Sequence, residues 1–425
     1  MFDPNQLRSQ FPGLLNRQGA IFLDGPAGTQ VPQRVIDAMV RYMTHTNANH
    51  GGVFATSVES DRILDESHAA MADLLNAPSP SEIIFGNNMT SLAFHLSRSL
   101  AKVLKPSDEI MVTRLDHDAN VSPWTLAARD AGATVRWIDI HPEDCTLDLD
   151  SFRKQLCEKT KWVAVGLASN GMGTINDVAT IAREAKKVGA TVFVDSVHYA
   201  PHGPIDVQAI GCDFLACSAY KFFGPHAGVL WGRRELLESW PCYKVRPSSN
   251  DLPGKWMTGT QNNEGIAGVA AAVDYLASLR GARLERAEAS GSERHVGSVS
   301  HRLPRRQALS EAMHAIQAYE QSLSRRMLTG LAELPRFRVW GVRDLNRLNE
   351  RVPTISITCR DASPQKLAKY LADRQIYSWA GNMYAQEISE RLGLEATGGF
   401  VRLGMVHYNT IAEIDATLKA LDGFS

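Results

Sequence analysis

The sequence predicts an α/β protein, with a large domain on a mostly parallel sheet and a smaller α+β C-terminal domain. Three observations lead there. A chain of 425 residues that is 44% hydrophobic exceeds one ordinary domain and can fill a large core plus a smaller one. From residue 21 to about 266, short β-rich runs alternate with longer helical patterns, as in parallel strands joined by crossover helices. Beyond that the alternation stops. Helical periodicity runs from about 307 to 334, then a strand-like Thr354-Ile355-Ser356-Ile357-Thr358 and a final helix over 411–421 complete a second unit. The expected division is 21–268 for the large domain and 1–20 plus 269–425 for the small one.

Strands of the first unit are expected at Glu82-Ile83-Ile84-Phe85, Glu109-Ile110-Met111-Val112, Thr134-Val135-Arg136-Trp137-Ile138, Trp162-Val163-Ala164-Val165 and Thr191-Val192-Phe193-Val194. Alternation with helices places cover on both faces of the sheet, and a ligand then sits at the carboxyl ends of the strands. After the first strand, Asn87-Asn88-Met89-Thr90-Ser91 reads as a capped helix start, where free backbone N–H groups and the helix dipole favour an anion such as phosphate. Ordinary capping explains the same letters equally well. Between 280 and 306 the chain turns polar and arginine-rich, with breakers at Gly291 and Pro304, which reads as an exposed loop or helix end.

Lys and Arg number 45 against 46 Asp and Glu, leaving a net charge of −1 and a pI near 6.9. That balance offers no footprint for nucleic acid or an anionic membrane, so a small molecule is the expected partner. Met1-Phe2-Asp3-Pro4-Asn5 lacks the basic-then-apolar order of a secretory signal, and no apolar run has the length of a membrane span; the expected location is cytoplasmic. The six cysteines are scattered without metal-ligand spacing and are expected to be reduced.

Lys221 carries the most chemistry. It stands in Ser218-Ala219-Tyr220-Lys221-Phe222-Phe223-Gly224, just after apolar Phe214-Leu215-Ala216-Cys217. An amine held against apolar surface has a lowered pKa, and the neutral form attacks a carbonyl to give a Schiff base. An isolated lysine more often snorkels from a strand end. Here the strand Thr191-Val192-Phe193-Val194 ends in Asp195, a carboxylate suited to pairing with a pyridinium nitrogen. Lysine and aspartate together suggest pyridoxal phosphate.

Taken in order, Asp116-His117-Asp118-Ala119-Asn120, Ser169-Asn170, Asp195-Ser196-Val197-His198 and Ser218-Ala219-Tyr220-Lys221 resemble the class V aminotransferase family. These are fold-type I pyridoxal-phosphate enzymes that include cysteine desulfurases, selenocysteine lyases and isopenicillin N epimerase. The resemblance runs from about 22 to 408. It implies that His117 stacks on the cofactor ring, that Asn170 donates to the ring hydroxyl oxygen, that Asp195 pairs with the ring nitrogen, and that His198 reaches the ring oxygen where desulfurases commonly carry glutamine. Ser218, Tyr220 and Thr90 match phosphate-binding positions, with Tyr220 in place of the usual histidine and Asn88-Met89 in place of the usual Gly-Thr. Gly259-Thr260 resembles the pair that reaches the phosphate from the other subunit, which implies a homodimer with an intersubunit active site. Val401-Arg402-Leu403-Gly404 followed by Tyr408-Asn409-Thr410 matches the motif whose arginine grips the substrate carboxylate through two parallel hydrogen bonds. Singly, each position has a plainer reading: core histidine, turn asparagine, helix-capping aspartate, loop glycine, salt-bridged arginine. The order and spacing favour a site.

Two stretches depart from the family. Cysteine desulfurases carry sulfur away on a cysteine in the loop before the arginine, but Trp379-Ala380-Gly381-Asn382-Met383-Tyr384-Ala385 has none. A thiolate is needed to hold a persulfide. Cys359 reads as a buried structural thiol, and Tyr384 either faces substrate or packs on Trp379. Leu23-Asp24-Gly25-Pro26-Ala27-Gly28-Thr29 replaces the usual Asp-Asn-Ala-Ala-Thr turn, and its glycines permit close backbone approach to a ligand. The segment 47–52 occupies the family's entrance region. The activity expected is a carbon-sulfur lyase acting on cysteine or a cysteine conjugate. Desulfurase, transaminase, epimerase and decarboxylative chemistry are alternatives, and a noncatalytic cofactor-binding protein is an alternative of another class.

Overall fold

A computed structural model describes residues 3–279 and 304–424. The strands in chain order are β1 (Ile21–Phe22), β2 (Ile83–Gly86), β3 (Glu109–Thr113), β4 (Thr134–Ile138), β5 (Ile140–His141), β6 (Thr146–Leu147), β7 (Thr160–Gly166), β8 (Thr191–Asp195), β9 (Phe214–Ser218) and β10 (Gly228–Gly232). After them come β11 (Phe337–Trp340), β12 (Thr354–Cys359), β13 (Ile376–Tyr377), β14 (Trp379–Gly381) and β15 (Phe400–Gly404). All five strands expected from the sequence are present. They join β9 and β10 in a seven-stranded sheet of order β2-β10-β9-β8-β7-β3-β4, in which only β10 runs antiparallel to its neighbours. This is the expected mixed α/β architecture on a mostly parallel sheet.

Alternation along each strand divides the core. Ile84, Ile110, Trp162, Phe193 and Phe214 pack on one face of the sheet, while Phe85, Met111, Val163, Val194 and Leu215 pack on the other. Every one of these side chains is buried, which explains why the strands read as continuous apolar runs.

The C-terminal unit is a four-stranded antiparallel sheet, β11-β12-β15-β14, with the helices Arg305–Ala332, Pro364–Ala372 and Ile411–Asp422. The domain boundaries differ from those expected. Residue 268 falls inside one continuous helix, Asn263–Ser278, which packs on the helices Gln33–Arg41 and Ala55–Leu75 of the large unit, so no linker exists there. At the other end, β1 pairs with β13 and Asp24 bridges to Gly404, so the chain from 21 to 24 belongs with the small sheet. Helix packing decides the first case and backbone pairing the second, and no single stretch of sequence reveals either. The polar stretch expected at 280–306 lies outside the described residues apart from its end, where Arg305 and Arg306 open a helix and Arg305 bonds Asp73 at 2.7 Å. No helix among the described residues is long and apolar enough to cross a membrane.

Candidate active site

A cavity of about 890 Å³ opens where β3, β7, β8 and β9 end at their carboxyl termini. Lys221 lies in its wall, on a single helical turn after β9, and its Nζ donates to the carbonyl of Pro26. Burial lowers its pKa to about 7; nearby Arg402 lowers it further and Asp195 opposes. An amine that is about half neutral at pH 7 is competent both as nucleophile and as base. Asp195 closes β8, with Oδ1 accepting from the Val197 backbone N–H at 2.8 Å, and burial raises its carboxyl to about 6. Asp116 follows β3 and accepts from the Gly166 N–H and from Asn120 Nδ2 at 2.8 Å. Burial, then the charge of Asp195, raises it to about 7.

His117 also lines the cavity. Its Nδ1 accepts from the Ala119 N–H at 3.0 Å, which leaves the ring proton on Nε2, and burial followed by the Lys221 and Arg402 charges lowers its pKa to about 4. The ring is therefore neutral at pH 7. His198 bonds Thr354 Oγ1 at 3.0 Å and meets His202 edge-on, and His202 in turn bonds Glu320 at 2.8 Å. Asn170 holds two segments together: its carbonyl accepts from Arg402 Nη1 at 2.8 Å, and its Nδ2 donates to the Met383 carbonyl at 2.8 Å. The donor expected to serve a ring oxygen is thus engaged with the loop, and Asn170 Oδ1 is left buried without a partner. Arg402, on β15, is buried, and burial lowers its pKa to about 10, with Tyr220 and Asp24 opposing. It stays charged at neutral pH.

At the opposite end, Ser218 Oγ accepts from the Met89 N–H at 3.0 Å, which ties β9 to the first turn of the helix Met89–Val103. Thr90 is exposed on that turn and lines the cavity. Tyr220 stacks on His226, with ring centroids 5.0 Å apart. Gly228 lets this helix start lie directly on β10, since a Cβ there would run into the Asn88 backbone.

Thr260 lies elsewhere. With Gly259, Asn49 and His50 it lines a second cavity of about 1270 Å³, and none of these four lines the Lys221 cavity. Tyr384 stacks on His117, centroids 5.5 Å apart and planes 22° apart, rather than on Trp379. Cys359 is half-buried at the end of β12 rather than fully buried, because it occupies the last position of the strand. No cysteine lines the Lys221 cavity.

The profile of the family described as Aminotransferase class-V matches residues 21–311 and 306–417. The chain belongs to this family. A probable cysteine desulfurase of Streptomyces coelicolor is 32% identical over 99% of this chain and 97% of the relative, and an aminotransferase-like protein of Gibberella zeae is 31% identical over 99% and 98%. Among solved structures, the apo cysteine desulfurase of Thermococcus onnurineus superposes with a TM-score of 0.85 at 25% identity, covering 99% of this chain and 98% of that one. As a class V aminotransferase the chain has the fold-type I architecture and is a pyridoxal-phosphate-dependent enzyme of the cysteine desulfurase-like kind.

The residues present fit that cofactor. The cavity has the volume of a cofactor plus a small amino acid. A neutral amine, a carboxylate and an orphaned amide oxygen line one wall, and a helix start lies opposite. The sequence gives no sign of His226 or of the His202–Glu320 pair as neighbours of the site, because only tertiary contact brings them there.

Proposed function

We propose that this enzyme is a carbon-sulfur lyase, removing the β-sulfur substituent of cysteine or a cysteine conjugate. The observation that carries this reading is the loop before Arg402. Tyr384 stacks on His117 in the stretch where desulfurases present a thiol, and no cysteine reaches the cavity, while the amine and guanidinium are in place. Cys145, Cys212 and Cys217 are buried, which pushes their thiols up and makes them inert.

In this reading Lys221 would hold the cofactor, and its neutral amine is the base that takes the α-proton of the substrate. Bound pyridoxal phosphate supplies the sink for the α-carbon electrons. With the cofactor bound, Asp195 would keep its ring nitrogen protonated, His117 would cover the ring face, and Asn170 and His198 would serve the ring oxygen by exchanging their bonds to the Met383 carbonyl and Thr354. Ser218, Tyr220 and Thr90 would hold its phosphate, and Arg402 would fix the substrate carboxylate. Loss of the α-proton and of the sulfur as thiolate leaves an enamine, which water converts to pyruvate and ammonia. Thr260 and the segment 47–52 serve a partner subunit's site in a homodimer; their shared position on a second cavity supports this. The large domain and the small unit, with boundaries moved to the pairing described above, close on the substrate from two sides.

A second reading, cysteine desulfurase, is favoured by the names of the relatives. Product analysis decides between them. Incubation of holoenzyme with L-cysteine and with S-benzyl-L-cysteine, read by mass spectrometry, is expected to give pyruvate with sulfide or thiol. Alanine with sulfur transferred to an acceptor establishes desulfuration instead.

A further inference from the structure

Trp379 and Tyr384 both line the Lys221 cavity, yet they are 53% and 73% exposed. Single aromatic side chains on a surface need no explanation; two on one wall of a reaction cavity offer a specific contact area. Tyr384 is also held there at a cost. Met383 and Tyr384 both have φ near +57°, a left-handed conformation that is strained for residues with a Cβ. The strain persists because the turn is fixed from several sides. Asn170 Nδ2 donates to the Met383 carbonyl at 2.8 Å, the Asp118 N–H donates to the Tyr384 carbonyl at 2.7 Å, and the Tyr384 N–H donates to Asn382 Oδ1 at 3.1 Å. Trp379 is the cross-strand partner of Arg402, so both side chains leave the small sheet on one face. Asn170 bonds Arg402 as well as the turn. The carboxylate grip and the two aromatic rings are therefore parts of one linked structure.

We propose that Trp379 and Tyr384 form an aromatic jaw that receives the far end of the substrate side chain, so that the substrate carries an apolar or aromatic group on its β-sulfur rather than a free thiol. The sulfur in this statement rests on the lyase reading above; the jaw does not. One face of Tyr384 lies on His117, so a phenyl group would pack on the rest of that ring and on Trp379, gaining on the order of 1 kcal/mol, about fivefold in affinity, per ring contact.

The test is equilibrium binding to holoenzyme, read by the change in cofactor absorbance. The two probes are 2-amino-5-phenylpentanoate, which copies S-benzylcysteine with a methylene for sulfur and cannot eliminate, and 2-aminobutyrate, which lacks the ring. The wild type is expected to bind the phenyl compound about tenfold more tightly or better. Tyr384→Ala and Trp379→Ala are each expected to lower that ratio at least about threefold, and Tyr384→Phe to keep it. Because the ratio is taken within one protein sample, partial misfolding of a variant does not imitate the result. A ratio near one in the wild type, or a ratio indifferent to both alanine substitutions, overturns the jaw. Pyruvate from S-benzyl-L-cysteine with a ratio near one keeps the lyase and removes the jaw, whereas a retained ratio without pyruvate keeps the jaw and removes the lyase.

Discussion

The floor and the mouth of the cavity are built on opposite principles. At the floor, Asp195, Ser218 and Asp116 terminate or follow strands in the middle of the seven-stranded sheet and are buried, with backbone N–H groups bonded to each. At the mouth, Trp379 and Tyr384 stand on a short edge strand and a strained turn, largely in water. The floor adjusts charge: burial brings a lysine down and carboxyls up until all titrate near neutrality. The mouth adjusts shape and contact area. A chain can thus keep the chemistry of its family at the floor while a few loop residues at the mouth redirect it.

The largest effect should come from the floor. Lys221→Ala is expected to lower turnover at least about a thousandfold, and borohydride should no longer fix the cofactor to the chain, with circular dichroism unchanged. Residual turnover within tenfold of wild type would mean that the floor is not the reaction centre. The next effect sharpens the electrostatic half of the comparison. Lys221 is neutral above about pH 7 and protonated below it, because burial has brought it down from 10.5. The rate at which apoenzyme captures pyridoxal phosphate is therefore expected to fall about tenfold per pH unit below that point and to level off above it. Stopped-flow absorbance from pH 5.5 to 9.5 checks this. A rate still rising at pH 9.5 would show an amine in contact with water and a floor no drier than the mouth.

The floor was also the part legible in the sequence. Its residues sit at strand ends, and apolar runs such as Thr191-Val192-Phe193-Val194 announce where strands end, so local pattern places Asp195, while the role of Ser218 comes from the family resemblance. The direction of β10 was not legible, because Gly228–Gly232 would look the same in either orientation. Neither was the boundary near 268: the helix Asn263–Ser278 buries residues nearly all round, so nothing in its letters marks a change of unit. The stack of Tyr384 on His117 joins residues 267 positions apart by number, and the His202–Glu320 bond spans 118; only the folded chain brings these together.

The smallest effect expected is the one that separates floor from mouth most cleanly. Gly399 precedes β15 with φ +84°, and a Cβ there would run into the backbone of Gly381, with Asn382 N at 2.9 Å. Gly399→Ala is therefore expected to lower unfolding stability by about 1–3 kcal/mol. The strain has somewhere to go: β14 is an edge strand, and the turn after it faces water, so the wall that carries Trp379 and Tyr384 shifts while the interior strand β15 stays paired to β12. KM for S-benzyl-L-cysteine should then rise severalfold, whereas the pH at which cofactor capture levels off should remain near 7, because nothing around Lys221 has moved. If capture moves together with KM, the mouth is mechanically coupled to the floor, most directly through Asn170, which bonds both Arg402 and the Met383 carbonyl. A double substitution with Asn170→Ala, which cuts that connection, then separates a shared strain from two independent ones by whether the two effects add.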